Sequence, residues 1–296
     1  ISIHHTMSIS GQNLSIVIVT LKSEKVIHHC IKSINHNIPI IVVENSADEK
    51  FKSDLENKYK NVKCVLSKRN LGMGTGNNVG IKLAKTDYVF IMNPDTVLEL
   101  NTLDEIFLAS EKLNNFSILS PISSDPNFPN YGRYNKQKIE TESRPFKVDY
   151  VDGFAMLLNK KKFTSNSYFD ENFFMYLEND DLCRRVYNNG GSIYVVPKAI
   201  INHAGAKAID SKFSEEVELS RNWHWIWSKF YFNKKNFGIF IAIKSGLPSY
   251  FSSIIKFLFF LIIGNKFKKR KYFNRASGFY NAFIDKPSWY RPNLKD

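Results

Sequence analysis

The sequence predicts an α/β protein in which a doubly wound, mostly parallel sheet is flanked by helices and followed by a C-terminal helical extension. Two continuous apolar runs, at 14–20 and 88–92, have the composition of strands that are buried on both faces, as in parallel sheets. Between them, apolar residues recur at helical spacing, for example over 23–35. This alternation favours parallel strands joined by right-handed crossovers.

The other elements are predicted from two patterns. Apolar runs bounded by turn residues indicate strands, and apolar residues at helical spacing indicate helices. We expect strands at 14–20, 40–44, 62–66, 88–92, 118–121, 151–158 and 192–196, the last at a sheet edge. We expect helices at 23–35, 49–58, 72–84, 103–113 and 216–232. Residues 123–147 are polar, contain three prolines and lack periodicity. That stretch predicts either a long loop that covers a site or a plain surface excursion.

The composition is that of a globular protein in a reducing compartment. Of the 296 residues, 43% are hydrophobic and 23% are charged, which is not the composition of a disordered chain. Three widely spaced cysteines form no C-x-x-C pair, which argues against a disulfide framework or a zinc site. We expect no secretory leader and set residues 1–6 aside from the fold. The length suits one large domain or one domain with an appendage, and we expect a first domain over 1–210 and a helical, amphipathic and basic region over 211–296.

The net charge of +13 admits nucleic acid, an anionic membrane or a phosphorylated substrate as a partner. A basic cluster directly follows the apolar run at 254–264 and consists of Lys266, Lys268, Lys269, Arg270, Lys271 and Arg275. Such a block beside an apolar helix favours an anionic lipid surface, and the alternative is solvated charge after a core helix. Residues 247–264 are too few to span a bilayer and include Lys256, so we expect a helix that lies in the membrane surface.

A carboxylate stands at the end of the apolar run at 88–92, where Asn93 and Pro94 stop the strand and Asp95 follows. Open α/β sheets bind their ligands at the carboxyl ends of their strands. A carboxylate oxygen is a hard ligand, so Mg²⁺ or Mn²⁺ bridging a diphosphate is its natural partner. Asn-Pro-Asp is also ordinary turn chemistry, and on this segment alone both interpretations stay open.

Three further segments carry candidate site residues. Residues 70–81 contain Gly72, Gly74 and Gly76 at the start of a predicted helix, where backbone can approach a phosphate, although the dinucleotide and P-loop fingerprints are absent. His203, in a predicted short turn, is either structural or completes a metal shell with Asp95.

The third segment is an acidic cluster, Glu178, Asp180 and Asp181, which follows an aromatic stretch. Clustered and partly buried carboxylates have raised pKa values, which suits a general base. The alternative is that Asp180 or Asp181 caps a helix beginning at Leu182 while the other acids are solvated.

The order of these pieces resembles that of family 2 glycosyltransferases, and within them the rhamnosyltransferase-like enzymes of bacterial O-antigen and capsule assembly. The matching segments are LSIVIVT, IIVVENS, NLGMGTGNN, YVFIMNPDTVL, VDGFAMLL, FDENFFMYLENDDLCRR and INHAG. The likeness runs from about Leu14 to Gly205. It implies a GT-A fold, an inverting mechanism and a nucleotide-sugar donor.

The resemblance also implies roles for individual residues. Those that match donor-binding positions are Thr20, Glu44 and Asn45 for the base and ribose, Asn70, Gly72 and Asn77 for the loop beside the nucleotide, and Asn93 and Asp95 for the Asp-x-Asp motif. In this scheme Asp95 holds Mg²⁺ or Mn²⁺, Asn93 lies near the ribose or diphosphate, and His203 lies near the metal or diphosphate.

The chain departs from the family at the base. Relatives read Glu-Asp-x-Asp-Leu, and the second residue is taken as the base; here that residue is Asn179, whose amide cannot accept a proton. Glu178, Asp180 or Asp181 then has to serve, and we expect Asp180 to do so. The alternative is a non-catalytic GT-A module that binds a sugar or nucleotide. Nucleic-acid motifs and the dinucleotide fingerprint are missing, which disfavours both of those classes.

The resemblance further implies partners and a location. dTDP-rhamnose is the first donor it suggests, and UDP-hexoses are the next. The acceptors of relatives are lipid-diphosphate-linked saccharides of surface polysaccharide synthesis. We therefore expect a cytoplasmic enzyme held peripherally on the anionic inner face of the bacterial cell membrane.

Overall fold

A computed structural model describes residues 10–113, 115–137, 143–164, 168–205 and 209–294. Residues 1–6, which we set aside, and part of the predicted loop at 123–147 lie outside the described residues. The chain forms two compact units. Unit 1 comprises Ile1–Leu71, Gly76–Phe169 and Asn179–Ala208, and unit 2 comprises Gly72–Thr75, Asp170–Glu178 and Ile209–Asp296.

The described strands and helices alternate over the first half of the chain. The strands are β1 (Leu14–Thr20), β2 (Ile40–Glu44), β3 (Val62–Leu66), β4 (Tyr88–Met92), β5 (Thr96–Leu98), β6 (Ile118–Ser123), β7 (Tyr131–Gly132), β8 (Phe146–Val148), β9 (Tyr150–Val151), β10 (Ala155–Asn159) and β11 (Ile193–His203). The α-helices are α1 (Ile27–Lys32), α2 (Glu49–Lys58), α3 (Met73–Leu83), α4 (Thr102–Lys112), α5 (Glu178–Asn188), α6 (Ser214–Phe237), α7 (Ile239–Ile263) and α8 (Lys266–Phe283).

The main sheet of unit 1 is mixed, in the order β3-β2-β1-β4-β10-β6-β11-β5, with β8 beside β11. Its first four strands are parallel, as predicted, and so are β6 and β11. The strands β10, β5 and β8 run antiparallel to their neighbours. Strands β1 and β4 are buried along their whole length, because side chains from both faces enter the core. The parallel register aligns Thr20 with Glu44, so polar side chains meet at one edge.

Three sequence-based expectations about unit 1 are corrected. The strand predicted at the sheet edge continues to His203 and is internal, because a register shift between Val196 and Ile200 lets it pass Pro197 and keep pairing. His203 therefore ends a strand and does not lie in a turn. The predicted loop at 123–147 contains β7 and the start of β8 within its described part.

The third correction concerns the acidic segment. Helix α5 begins at Glu178 and not at Leu182, so Asp180 and Asp181 lie inside its first turn and are not N-caps of a helix that starts at Leu182. Immediately before it, Tyr176 and Leu177 have φ values of 72° and 65°, a left-handed conformation that costs non-glycine residues about 1–3 kcal/mol each. This tight turn sets the direction in which α5 starts.

Unit 2 is built mainly of α6, α7 and α8, which pack on one another. Its apolar cluster consists of Trp223, Ile226, Trp227, Phe230, Ala242, Phe279 and Ala282. A Cβ at Gly278 would collide with the Trp223 carbonyl, so the glycine lets α8 approach α6 closely. After α8 the chain returns to this cluster, where the Trp289 ring lies 5.6 Å from that of Trp223.

Helix α7 is longer than the sequence predicted, because it begins at Ile239 and not at Leu247. At 25 residues and a mean hydropathy of 1.7, it is the one described helix long and apolar enough to cross a membrane by length and composition. The expectation that this stretch is too short to span is therefore wrong. Only 6% of its most apolar window is buried, and outward-facing side chains such as Ile255 and Ile262 are exposed by 68% and 86%.

Candidate active site

The polar residues predicted at the ends of β1 and β2 meet at the carboxyl edge of the parallel strands. The Glu44 carboxylate accepts hydrogen bonds from the Ser46 backbone and hydroxyl, at 2.9 and 2.6 Å, and from the Asp48 backbone at 2.9 Å. These bonds close the turn that follows β2. The Thr20 hydroxyl lies 3.5 Å from the Val43 carbonyl. Both side chains are buried and shape the edge; their donor-binding roles stay predictions.

Asn45 connects the strand edge to the segments that follow it. Its Oδ1 accepts hydrogen bonds from the Ser67 hydroxyl at 2.9 Å and from the Leu71 backbone at 3.3 Å. A Cβ built on Gly76 would lie 2.9 Å from the Val19 side chain and 3.6 Å from Asn45 Nδ2, so only a glycine lets α3 approach this closely. The fold thus brings together residues that the sequence places far apart.

The other two residues predicted beside the nucleotide differ in exposure. Asn70 is half-buried, whereas Asn77 is buried in α3. Asn77 Oδ1 has no hydrogen-bond partner among the residues that the structure describes. A buried amide oxygen without a donor is costly, and a ligand hydroxyl or amine would satisfy it.

Gly72 belongs to unit 2 and has a φ of 79°. A Cβ at this position would collide with the Phe174 carbonyl, to which the Met73 backbone also donates a hydrogen bond of 3.1 Å. The glycine therefore lets these two segments of unit 2 close on each other.

Replacing Gly72 with alanine is expected to destabilise the protein by more than about 3 kcal/mol, because a left-handed conformation and a backbone collision add up. Gly190→Ala is the matched control, since Gly190 has a φ of 73° and no atom within 4 Å of its built Cβ. It should cost only about 1–2 kcal/mol. Urea denaturation followed by circular dichroism measures both, and equal midpoints for the two variants would contradict the collision.

Asp95 and His203 are brought together by the antiparallel pairing of β5 and β11, which sets His203 opposite Thr96. The Asp95 side chain is buried, and its Oδ1 lies 3.5 Å from His203 Nε2. The His203 ring stacks on Phe154 at a centroid distance of 4.3 Å, which fixes its orientation. Asn93 contributes backbone contacts, since its carbonyl accepts a 2.7 Å hydrogen bond from the Thr96 hydroxyl.

These two side chains fit a divalent cation as a partial ligand set. Asp95 Oδ1 is buried and lacks a hydrogen-bond partner among the described residues, and a cation would satisfy it. Carboxylate and imidazole together suit Mn²⁺. The described part of the chain holds no cluster of three or more His, Cys, Asp or Glu residues placed to bind a metal. Further ligands would therefore come from diphosphate oxygens and water, which is usual for Mg²⁺.

Asn179, which the sequence resemblance places at the position of the base, forms a contact within unit 1. Its Nδ2 donates a hydrogen bond of 3.1 Å to the Val151 carbonyl at the end of β9. A Cβ on Gly153 would lie 3.1 Å from Asn179 Cβ, so the glycine admits this close approach. The residue between Val151 and Gly153 is Asp152, and the contact with Asn179 places it beside the start of α5.

Asp180 and Asp152 form a pair of neighbouring carboxylates. Burial, followed by the negative charge of Asp152, raises the pKa of Asp180 to about 6. Desolvation by the surrounding protein raises the pKa of Asp152 as well, and the charge of His203 opposes that shift. The Asp152 side chain is itself solvent-exposed, so water screens its charge. A carboxyl group that titrates near pH 6 can accept a proton at neutral pH.

Sequence reasoning missed Asp152. The segment VDGFAMLL was identified only as a predicted strand and as part of the family resemblance, and the acid directly before its glycine was the available signal. Its neighbourhood with Asp180 depends on the contact between Asn179 and β9, which no local pattern reveals.

The two other acids of the predicted cluster have different surroundings. Asp181 is fully buried and forms an ion pair of 2.9 Å with Arg185 Nε, and Arg185 also donates to the Tyr168 carbonyl. This pairing favours a structural role for Asp181. Glu178 is half-buried and belongs to unit 2, whereas Asp180 belongs to unit 1.

Comparison with known proteins identifies the family of the chain. The family model described as "Glycosyl transferase family 2" matches residues 15–169, which include β1 to β10 and Asp95. The chain belongs to this family of glycosyltransferases. The expected resemblance is thereby confirmed, and the matched segment covers the first four parallel strands of the sheet and the Asp95 turn.

Named relatives of this family-2 chain act in glycan synthesis. One relative is the "Low-salt glycan biosynthesis hexosyltransferase Agl10" of Haloferax volcanii, which is 24% identical over 229 residues. The aligned segment covers 71% of this chain and 69% of the relative. The chain is 23% identical over 206 residues, 56% of this chain and 66% of the relative, to the "N-acetylglucosaminyl-diphospho-decaprenol L-rhamnosyltransferase" of Mycobacterium tuberculosis.

A solved structure extends the likeness beyond the matched family segment. The crystal structure of S. aureus TarS 1-349 aligns with a TM-score of 0.50 at 14% identity, over 96% of this chain and 94% of that one. At this identity the likeness concerns the fold alone. The predicted GT-A type fold, a mixed central sheet flanked by helices with a C-terminal helical region, is confirmed.

Proposed function

We propose that this glycosyltransferase is an inverting, metal-dependent enzyme. Its donor would be a nucleoside-diphosphate sugar, dTDP-rhamnose first and a UDP-hexose next. Its acceptor would be a lipid-diphosphate-linked saccharide of surface polysaccharide synthesis. The observation that carries the proposal is the carboxyl group of Asp180 in a family-2 chain, one residue from the amide that the resemblance places at the base position and beside the carboxylate of Asp152. Relatives whose names specify hexosyl or rhamnosyl transfer support the substrate class.

In the proposed reaction, the Asp180 carboxylate accepts the proton of an acceptor hydroxyl. The hydroxyl oxygen attacks the anomeric carbon, the bond between that carbon and the diphosphate oxygen breaks, and the nucleoside diphosphate leaves with the bonding electrons. Attack from the opposite face inverts the anomeric configuration. Asp95 and His203 would hold the divalent cation, which when bound neutralises charge on the leaving diphosphate. Thr20, Glu44 and Asn45 would position the base and ribose.

Asn179 supports a second candidate, a GT-A module that binds a nucleotide or sugar without transferring it. The two candidates make opposite predictions for donor turnover. Release of nucleoside diphosphate from a nucleotide sugar, in the presence of an acceptor, supports an enzyme. Donor binding without turnover in an acceptor panel supports the module.

A thermal-shift panel tests the donor class. We expect dTDP- or UDP-sugars with Mn²⁺ or Mg²⁺ to stabilise the protein more than the same sugars with chelator. A ligand at a hundred times its Kd contributes about 2.7 kcal/mol. GDP- and CMP-sugars at equal concentration are the controls. Equal shifts for all nucleotides, with no effect of the cation, would contradict a metal-dependent donor site.

Unit 2 supports peripheral attachment to an anionic membrane. Helix α7 exposes an apolar face while Ala242 and Ser253 are buried against the rest of the unit. Part of the basic cluster is engaged within the unit, because Arg270 pairs with Glu216 at 2.6 Å and Lys271 pairs with Glu218 at 2.8 Å. The lysines at 266 and 268 are exposed at the start of α8, next to the end of α7. Apolar area and nearby positive charge together favour an in-plane helix on anionic lipid.

We expect the protein to float with liposomes that contain anionic lipid and to float less with neutral ones. Replacing Ile255 and Ile262 together with serine should reduce flotation, because both side chains are exposed on α7. Leu100→Ser is the matched control, since Leu100 is 97% exposed in unit 1. Negligible binding of the wild-type protein to both kinds of liposome would leave the cluster as solvated charge.

A further inference from the structure

One face of α5 continues from the candidate base towards the C-terminal end of the helix. Asp180, Arg184 and Tyr187 are spaced i, i+4 and i+7, so their side chains lie in one row. Tyr187 is 50% exposed, although large aromatic side chains are usually more buried than that. The row is separate from the one that contains Asp181 and Arg185, which are paired with each other.

A cluster of tyrosines packs against this row, all within unit 1. The Tyr134 ring lies 5.4 Å from the Tyr187 ring, edge to face, and 5.8 Å from the Tyr150 ring, stacked. The Arg184 guanidinium lies over the Tyr134 ring at 5.3 Å. We call Tyr134, Tyr150, Tyr187 and Arg184 the tyrosine cluster.

The short ladder between β7 and β9 fixes two of these rings. It pairs Gly132 with Tyr150, and a Cβ on Gly132 would collide with the Tyr150 ring, so glycine makes room for it. The Tyr134 backbone donates a 2.9 Å hydrogen bond to Asp149 Oδ2. The positions of Tyr134 and Tyr150 are therefore fixed by contacts of the backbone.

The cluster lies beside the candidate base. Burial raises the pKa of Tyr134, the charge of Arg184 opposes this shift, and the charge of Asp180 adds to it. Burial followed by the charge of Asp180 raises the pKa of Tyr150. Tyr150 is also two residues from Asp152 along the chain. The Tyr134 hydroxyl is buried and has no hydrogen-bond partner among the described residues, so a ligand hydroxyl would satisfy it.

We propose that the tyrosine cluster is the subsite for the acceptor's sugar ring, which stacks its apolar C–H face on the rings and directs one hydroxyl towards Asp180. A sugar has an apolar face and polar edges, and a site for such a ligand combines aromatic surface with a few placed polar groups. Tyr187 supplies accessible aromatic surface, while Arg184 and the Tyr134 hydroxyl supply polar contacts. The subsite deepens the proposed function and rests on it for the name acceptor.

Saturation-transfer NMR with the methyl glycosides of rhamnose, N-acetylglucosamine and galactose tests the subsite without any turnover. We expect at least one glycoside to receive saturation from the wild-type protein. Tyr187→Ala should weaken its binding about tenfold, as loss of one aromatic partner does. Tyr134→Phe should weaken it by a smaller factor through loss of the hydroxyl. Tyr187 is half exposed, so its replacement leaves the fold intact.

The control is Phe128→Ala, which removes a 74% exposed aromatic side chain elsewhere in unit 1. This variant should bind the glycoside as the wild type does. No saturation transfer to any glycoside in the wild type, or equal transfer in the wild type and Tyr187→Ala, overturns the subsite. Failure of the proposed function gives a different result. The wild-type protein would then bind a glycoside in the expected pattern but release no nucleoside diphosphate.

Discussion

Asp180→Asn is expected to lower the rate of sugar transfer by about 10²–10⁴-fold, the usual contribution of a general base. Asparagine has nearly the same shape but cannot accept the proton, so donor binding and thermal stability should be retained. The wild type should lose kcat/KM as the pH falls through about 6, because the base is then protonated. Nucleoside diphosphate release, measured from pH 5 to 8, gives both results.

Two controls separate this role from a general effect of charge. Asp152→Asn should keep most of the activity at pH 8. The pH at which kcat/KM falls on acidification should be lower than in the wild type, because loss of the Asp152 charge makes Asp180 easier to ionise. Asp87→Asn removes a carboxylate that pairs with Lys161 at the surface. It should change neither the rate of sugar transfer nor the pH at which kcat/KM falls. A wild-type rate in Asp180→Asn would place the base elsewhere, and Glu178→Gln would then be the next variant to measure.

Asp95→Ala is expected to lower turnover on the order of a thousandfold, since a cation on the diphosphate stabilises the leaving group by several kcal/mol. The stabilisation of the protein by nucleoside diphosphate should also stop depending on Mn²⁺. Calorimetric titration of Mn²⁺ in the presence of UDP or dTDP measures this second effect directly, whether or not turnover is detectable.

His203→Gln is a milder change at the same proposed metal site and is compared with Asp95→Ala. It removes one nitrogen ligand and leaves the carboxylate, so we expect a smaller loss of both turnover and Mn²⁺ affinity. An unchanged melting temperature of both variants without ligand would show that the fold is kept. Near-normal turnover of Asp95→Ala would contradict the metal role of this side chain.

Much of unit 1 could be predicted because local patterns and tertiary structure agree there. Strands β1, β2, β3 and β4 have the predicted bounds, since each is an apolar run that ends at a turn residue. The turn after β4 and its carboxylate were placed by the same reasoning. Asp95 and His203 were predicted as a pair only through chemistry and resemblance, and it is the β5–β11 pairing that brings them together.

The remaining features depend on contacts between distant segments. The neighbourhood of Asp152 and Asp180 requires the hydrogen bond from Asn179 to β9. The start of α5 follows from left-handed residues at 176 and 177, which no propensity predicts for Tyr and Leu. Helix α7 extends to Ile239 across Pro248, and a proline inside an apolar run is ordinarily a reason to begin the helix after it.

The way unit 2 is closed has a consequence for how the chain folds. Its pieces include Gly72–Thr75 and Asp170–Glu178, and the Tyr290 carbonyl lies 2.8 Å from the ring nitrogen of the buried His224. Such contacts give the unit a high contact order, which slows folding. During synthesis, α6 therefore emerges before the residues that complete its burial. A chain that stalls before residue 289 would leave Trp223 without its aromatic neighbours Trp289 and Tyr290 and would be prone to aggregate.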